Sequence, residues 1–227
     1  MYLTLAVGGY YLYVMYGFEH IPNPYISEYH KYIAWPFMLT CYYSYYLACA
    51  TDPGFIRKGG DKAMVERAVK RYDYDDIMFY HKSWCDTCEA PKPARSKHCN
   101  LCNMCCEKFD HHCVWINNCV GLHNYKWFML FLFMHLGICV YGTVVGFYCA
   151  LHLIDESDLW NKTFVNRQGQ RFKADWSIIL QYLQKEYEMF SIVVFLCGIV
   201  TVMLLGFVGF HSYLIWKNYT TNEFSRK

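Results

Sequence analysis

The chain has 227 residues, of which 55% are hydrophobic and 20% aromatic, and its 21 Lys and Arg against 19 Asp and Glu give a net charge of +2. This near balance argues against a nucleic-acid-binding module, which normally carries a strongly basic face. Only 18% of the residues are charged, below the roughly 25% of soluble domains, so the composition excludes a disordered tail and an ordinary soluble enzyme.

Two uncharged stretches, Met1–Phe18 and Tyr32–Thr51, occupy the N-terminal part of the chain. Because a membrane-crossing helix needs about 20 apolar residues, we predict that both stretches are such helices. The first is at the short limit, but it lacks the basic region and the small-residue cleavage site of a signal peptide. We therefore expect it to be retained, and the sequence leaves open whether it begins upstream of Met1.

The polar segment that follows, Asp52–Lys126, contains eight of the 13 cysteines. Such a cluster indicates zinc in a reducing compartment and disulfides in an oxidising one, and the interleaved histidines favour zinc and the cytosol. This segment has few apolar residues and we expect no long repeating pattern in it, so it could hardly bury enough surface to fold unaided. Metal binding would have to supply the missing folding energy. The candidate donors are Cys85, Cys88, His98, Cys99, Cys102, Cys105, Cys106, His111, His112, Cys113 and Cys119.

These donors outnumber what two metal ions need. Two tetrahedral zinc ions would take about four each, which leaves a surplus of side chains free for chemistry. The pairs Cys85-x2-Cys88, Cys99-x2-Cys102 and Cys102-x2-Cys105 have the spacing of shared metal ligands, but spacing alone does not assign the partners.

Two longer uncharged stretches, Trp127–Ile154 and Met189–Trp216, predict the third and fourth membrane helices. An even number of crossings places both termini and the cysteine-rich segment on one side. Basic residues are almost equally dense in the two polar segments, so the cysteines decide the side as cytosolic. The predicted fold is an α-helical integral membrane protein with four transmembrane helices and a cytosolic two-zinc cysteine-rich domain between helices two and three. Its parts are a helical hairpin at 1–51, the zinc domain at 52–126, a second hairpin at 127–216 with a luminal loop at 155–188, and a tail at 217–227.

The spacing of the motifs is similar to that of a known family. The chain carries Cys85-x2-Cys88, Lys92-Pro93-x-Arg95-Ser96-x-His98-Cys99-x2-Cys102-x2-Cys105, Asp110-His111-His112-Cys113, Cys119, Asn124 and Phe128, flanked by Asp52-Pro53-Gly54 and Thr220-Thr221-Asn222-Glu223. This run resembles the cysteine-rich domain of the DHHC protein S-acyltransferases. The resemblance implies one zinc bound by Cys85, Cys88, His98 and Cys105, and a second bound by Cys99, Cys102, His112 and Cys119.

Left unligated by that assignment are Asp110, His111 and Cys113, with Cys106 also spare. A thiol exchanges acyl groups as the thiolate, so His111 is the candidate base and Asp110 would orient its imidazole. We predict that Cys113 attacks a long-chain acyl-CoA such as palmitoyl-CoA, releases CoA, and passes the acyl group to a cytosolic cysteine of a membrane-associated protein. The expected partners are therefore acyl-CoA, such proteins and the lipid bilayer, with no nucleic acid, and the expected location is the endoplasmic reticulum or Golgi.

Further contacts follow from position in the matched motifs. Trp115 and Phe128 are expected near the thioester end of the acyl chain, and Thr221 is expected to support Asp110. Arg95 and Lys97 are nominated for the CoA phosphates, although basic residues beside a membrane also meet anionic lipid heads.

Two alternatives remain at this point, and two histidines need an interpretation. Cys113 could be a zinc ligand in a purely structural finger, and the chain could be a zinc-stabilised scaffold without activity. His135 and His211 lie inside predicted helices, and we interpret both as neutral packing residues in preference to functional ones.

Overall fold

The computed structural model describes residues 2–165 and 168–226. The helices of these residues are α1 (Tyr2–Gly17), a short 3-10 helix (Phe18–His20), α2 (His30–Ala50), α3 (Lys62–Val69), α4 (Tyr125–Glu156), α5 (Trp176–Glu186), α6 (Glu188–Lys217) and α7 (Thr221–Phe224). The strands are β1 (Phe55–Ile56), β2 (Trp84–Cys85), β3 (Ala90–Pro91), β4 (Lys97–Cys99), β5 (Met104–Cys106), β6 (His111–Cys113), β7 (Asn118–Val120), β8 (Thr163–Val165) and β9 (Arg171–Lys173).

All four predicted apolar stretches are helical, with ends within about two residues of the expected ones. Among the described residues, α4 and α6 are the two helices that are both long and apolar enough to cross a membrane. α1 has 16 residues and is therefore about 24 Å long, short of the roughly 30 Å of a bilayer core. α2 has 21 residues but contains Pro36 and several tyrosines. Two of the four predicted membrane crossings thus have helices of sufficient length and apolar character, and the crossings by α1 and α2 stay a prediction.

The chain divides into two compact units, and the unit boundaries fall inside α2, α4 and α6. The first unit comprises Met1–Thr40 and His135–Leu205. Its core joins the 3-10 helix region to α4, α5 and the start of α6 through buried aliphatic side chains such as Ile21, Leu159 and Ile179. His135 hydrogen-bonds the Tyr2 hydroxyl at 2.5 Å, a contact of the kind expected of a packing histidine.

The second unit comprises Cys41–Met134 and Gly206–Lys227, and it contains the cysteine-rich segment. Three antiparallel hairpins build this segment: β2–β3, β4–β5 with β1 added beside β5, and β6–β7.

The Asp52-Pro53-Gly54 turn anchors β1 in the second unit. The Asp52 carboxylate accepts the backbone N–H groups of Gly54 and Phe55, both at 2.8 Å. Gly54 has a φ of +105°, and a Cβ there would lie 3.1 Å from Cβ of Glu107. Glycine is therefore required for β1 to pair with β5.

Candidate active site

Strand alternation in the hairpins sorts the cysteines and histidines. Successive side chains of a strand point to opposite faces, so His98 and the following Cys99 in β4 face different ways. Directly opposite His98 in the paired strand is Cys105, and directly opposite His112 is Cys119. Each cross-strand pair therefore offers one imidazole and one thiol to the same face.

Each of these pairs meets a Cys-x2-Cys turn from the preceding hairpin. The result is two clusters whose donor atoms lie within 4.8 Å of one another, and either could hold a metal ion. The clusters are Cys85, Cys88, His98 and Cys105, and Cys99, Cys102, His112 and Cys119.

The distances inside both clusters fit tetrahedral zinc. Zinc with three thiolates and one imidazole requires S···N separations of about 3.6 Å, from Zn–S bonds of about 2.3 Å and Zn–N bonds of about 2.0 Å. In the first cluster the Nδ1 of His98 lies 3.5–3.8 Å from the three sulfurs. In the second, Nδ1 of His112 lies 3.4–3.7 Å from its three sulfurs. The donor set, its count and its geometry are those of closed structural zinc sites.

Cys113 belongs to neither cluster found among the described residues. It lies in β6 two residues after His111, so the same alternation that turns His112 towards the second cluster places His111 and Cys113 together on the other face. The imidazole and the thiol are close enough for each to shift the pKa of the other. Cys113 is 7% exposed.

Asp110 holds the imidazole from the opposite side. Its Oδ2 lies 2.7 Å from Nδ1 of His111, and its own backbone N–H donates to Val120 as a continuation of the β6–β7 ladder. The carboxylate is 1% exposed. The order is therefore carboxylate, imidazole, thiol, which is the arrangement of a nucleophile, its base and the group that orients the base.

The C-terminal tail completes the support of Asp110. Thr221 donates its backbone N–H to Oδ1 at 2.8 Å and its hydroxyl to Oδ2 at 2.7 Å. Thr221 is placed by α7, which begins with a capping box between Thr220 and Glu223. A Schellman turn at the end of α6 leads into α7. In this turn Asn218 has a left-handed φ of 54°, its backbone N–H donates to the carbonyl of Ile215, and the N–H of Tyr219 donates to the carbonyl of Leu214. The predicted contact of Thr221 with Asp110 is present.

The three groups polarise one another. Burial alone would lower the pKa of His111, but hydrogen bonds with Asp110 and Cys113 raise this pKa to about 9. Burial alone would raise the pKa of the Cys113 thiol, but His111 and the backbone N–H groups of Ile116 and Trp115 bring it below its usual value. The pKa of Asp110 is likewise lowered, because hydrogen bonds from His111 and Thr221 outweigh burial. Together the shifts favour an imidazolium next to a thiolate.

Aromatic rings enclose the imidazole of His111. Phe128 is buried and meets it edge to face at 5.2 Å between ring centroids. His211 of α6 lies at 5.9 Å from the same ring and bonds the Tyr125 hydroxyl through Nδ1 at 3.1 Å. His211 therefore packs as expected, but its place beside His111 could not be seen in the sequence. The Trp115 side chain is 46% exposed.

The structure corrects the role nominated for Arg95. Its guanidinium forms a bidentate pair with Glu223, at 2.6 and 2.7 Å, and also donates to the side chain and carbonyl of Asn218. The Arg95 side chain is 11% exposed and that of Glu223 is 4%. Arg95 thus ties the zinc hairpins to the tail, and it is not available for a CoA phosphate. Lys97, by contrast, is exposed and lies over the Phe109 ring.

The expectation of no long period in this segment is wrong. Cys85, Cys99 and Cys113 are spaced by 14 residues, and in each case the backbone N–H groups two and three positions later help to lower the pKa of the thiol. The three turns also share a left-handed residue at equivalent positions, which are Glu89, Asn103 and Asn117. The segment is thus a threefold repeat of one metal-binding hairpin. In the third copy, Ile116 stands where Cys88 and Cys102 stand in the others.

Comparison with known proteins agrees with this geometry. A family model described as DHHC palmitoyltransferase matches residues 78–227. The chain is similar to palmitoyltransferase ZDHHC4 of Mus musculus, with 39% identity over 181 residues that cover 78% of this chain and 50% of the relative. It is also similar to palmitoyltransferase swf1 of Schizosaccharomyces pombe, with 35% identity over 233 residues that cover 98% of this chain and 57% of the relative. The chain thus spans about half the length of the relatives it matches.

Proposed function

Because this chain belongs to the DHHC palmitoyltransferase family, we propose that it is a protein S-acyltransferase. It moves a long-chain acyl group, such as palmitoyl, from acyl-CoA to a cysteine of a membrane-associated protein through an acyl-Cys113 thioester. The observation that supports this proposal most directly is the row Asp110–His111–Cys113, whose carboxylate and thiol are buried and whose members join neither metal cluster.

The reaction proceeds in two thioester exchanges. In the first, the Cys113 thiolate attacks the thioester carbonyl, the bond to the CoA sulfur breaks, and the CoA thiolate leaves with the proton held by His111. In the second, His111 takes the proton of the acceptor thiol, whose sulfur attacks acyl-Cys113 and releases the Cys113 thiolate. Asp110 stabilises the imidazolium before each proton is returned. Both steps replace one thioester by another, so no further energy source is needed.

Two structural zinc ions would be held by the two clusters, where they supply folding energy to a segment with few apolar residues. Because each cluster already offers four ligands, neither leaves a position for substrate. The role of this chain's hairpins is then to fix β6, so that His111 and Cys113 keep their shared face.

The donor's CoA phosphates have a candidate site around Lys97. This lysine lines a cavity of about 240 Å³ together with Lys92, Arg226 and the rings of Tyr74 and Phe79. Cations fix phosphates and aromatic rings stack on bases. We therefore keep Lys97, but not Arg95, as a proposed ligand of the CoA phosphates. At the other end of the donor, Trp115 and Phe128 contact the first part of the acyl chain.

The same proposal fixes the arrangement in the membrane. Four helices cross the bilayer, in hairpins at 1–51 and 127–216, with the zinc domain at 52–126 and the tail at 217–227 in the cytosol. The loop at 155–188 is luminal, and the membrane is that of the endoplasmic reticulum or Golgi. This places the thiol where an acyl chain enters lipid while its CoA head stays in water.

The decisive experiment maps the covalent intermediate. Full-length protein in detergent or nanodiscs is incubated with palmitoyl-CoA, and the hydroxylamine-sensitive label is located by mass spectrometry. We expect the label on Cys113, its loss in Cys113→Ala with two zinc ions retained, and no loss in the matched control Cys139→Ala. Undiminished acyl transfer to partner proteins by Cys113→Ala would favour the scaffold alternative and reject the enzyme.

A further inference from the structure

A second cavity, larger than the one at Lys97, opens where α4 begins and α6 ends. Its volume is about 630 Å³. Its lining includes Lys108 and Lys126 together with the apolar side chains of Met129, Leu130, Phe133 and Ile215. The cavity is thus amphipathic, with two cations over an apolar wall.

The two lysines are available for a ligand. Within the described residues, neither Lys108 nor Lys126 lies within 4.0 Å of a carboxylate oxygen. Lys126 rests over the Trp127 ring at 4.8 Å. Asp110 also lines the cavity, but both of its oxygens are already engaged by His111 and Thr221. The net field offered to a ligand is therefore positive.

The acyl-CoA substrate does not fit this place. Its thioester carbon must reach Cys113, and the residues proposed around that carbon are Trp115 and Phe128. None of the three lines the cavity. Asp110 and Thr220 line the cavity and Cys113 does not, so the cavity adjoins the supporting carboxylate and not the thiol.

We propose that this cavity binds one anionic phospholipid, with the phosphate between Lys108 and Lys126 and an acyl chain along the apolar wall. The cavity is where a headgroup would be found, because α4 and α6 are the two described helices that are long and apolar enough to cross a membrane, and Tyr125 at the start of α4 and Asn218 just after α6 line it. Lysines beside a membrane surface attract the headgroups of anionic lipids. The site is separate from acyl transfer, and its ligand is a constituent of the membrane itself.

Lipid titration followed by native mass spectrometry tests this proposal. The full chain is stripped of lipid in detergent and titrated with dioleoyl phosphatidylglycerol or, in parallel, dioleoyl phosphatidylcholine. We expect one phosphatidylglycerol to bind in preference to phosphatidylcholine, and its affinity to fall about thirtyfold in the double variant Lys108→Gln/Lys126→Gln. The matched control is Lys62→Gln/Lys70→Gln, which removes two exposed lysines of the α3 region outside the cavity.

A second variant, Leu130→Trp, keeps both lysines and fills the apolar end, and it should also lose the lipid. Zinc content reports that each variant is folded. Equal binding of the two lipids, or undiminished binding by the double lysine variant, would overturn the proposal. Displacement of the lipid by palmitoyl-CoA would assign the cavity to the acyl donor and also reject it. Because the readout is lipid mass and not acyl transfer, the result is independent of whether Cys113 becomes acylated.

Discussion

The hydroxyl of Thr221 offers a direct test of the support given to Asp110. It donates to Oδ2 at 2.7 Å, while the backbone N–H of the same residue donates to Oδ1. Thr221→Val keeps the shape of the side chain and the backbone donor but deletes the hydroxyl. Because Asp110 is 1% exposed, water cannot easily replace the lost donor. A hydrogen bond to a charged group is worth about 1.5–3 kcal/mol, so the rate of acyl-enzyme formation should fall about ten- to hundredfold.

The assay is single-turnover labelling with palmitoyl-CoA at saturating and subsaturating donor. The loss should appear in the rate constant at saturation and not in the apparent affinity, since Thr221 is proposed to act through Asp110 and His111 without touching the donor. Thr221→Ser is the matched control, because it restores the hydroxyl and should react within about threefold of the unchanged chain. The capping box of Thr220 and Glu223 remains in both variants.

The reasoning would be refuted by a Thr221→Val protein that labels as fast as the Thr221→Ser protein. It would also be refuted if both variants lost zinc, because the tail would then be stabilising the hairpins as a whole and not orienting one carboxylate.

Three further outcomes follow from the same geometry. A strong zinc chelator should make the hairpin segment sensitive to protease while the apolar helices stay resistant, and protection unchanged by the chelator would argue against metal-dependent folding. Glu223→Gln leaves Arg95 buried with half a partner and should lower the free energy of unfolding by about 2–4 kcal/mol, whereas Lys58→Gln, in a surface pair, should change it by less than about 1 kcal/mol by calorimetry; equal effects would contradict the argument. Ile116→Cys completes a third Cys-x2-Cys turn, so added zinc should inhibit acylation of this variant but not of the Ile116→Ser control. Equal inhibition of the two variants would contradict the argument that Cys113 is free because its turn lacks a second cysteine.

The helices were predictable because a bilayer imposes a strong condition on sequence. Long runs without Asp, Glu, Lys or Arg are rare in soluble chains, so α4 and α6 could be located to within two residues. α3 and α5 were not predicted. Both are short and amphipathic and lie in polar segments, where helices of 8 and 11 residues give only a weak signal in the sequence.

The role of Arg95 could not be predicted, for a different reason. Its partner Glu223 is 128 residues away in the chain, and no local pattern links the two. A basic residue in a motif beside a membrane suggests a phosphate ligand, but a buried carboxylate is an equally good bidentate partner. Only the folded tail distinguishes the two, and the same holds for His211, which reaches His111 from another helix.

The metal clusters, in contrast, follow from two regularities of the sequence, which are the 14-residue spacing of the repeated cysteines and the alternation of side chains along each strand. In the first two copies of the hairpin the Cys-x2-Cys turn offers two donors to one cluster, and the cross-strand His and Cys of the next copy complete that cluster. The third copy is not followed by another copy of this repeat, and Ile116 replaces its second cysteine. The pKa of Cys113 is therefore lowered by backbone N–H groups in the same way as that of a ligand cysteine, although Cys113 belongs to neither metal cluster. Strand alternation places the imidazole of His111 on the same face as this thiol. In this chain, the thiol proposed to carry the acyl group therefore lies in the one copy whose turn lacks its second cysteine.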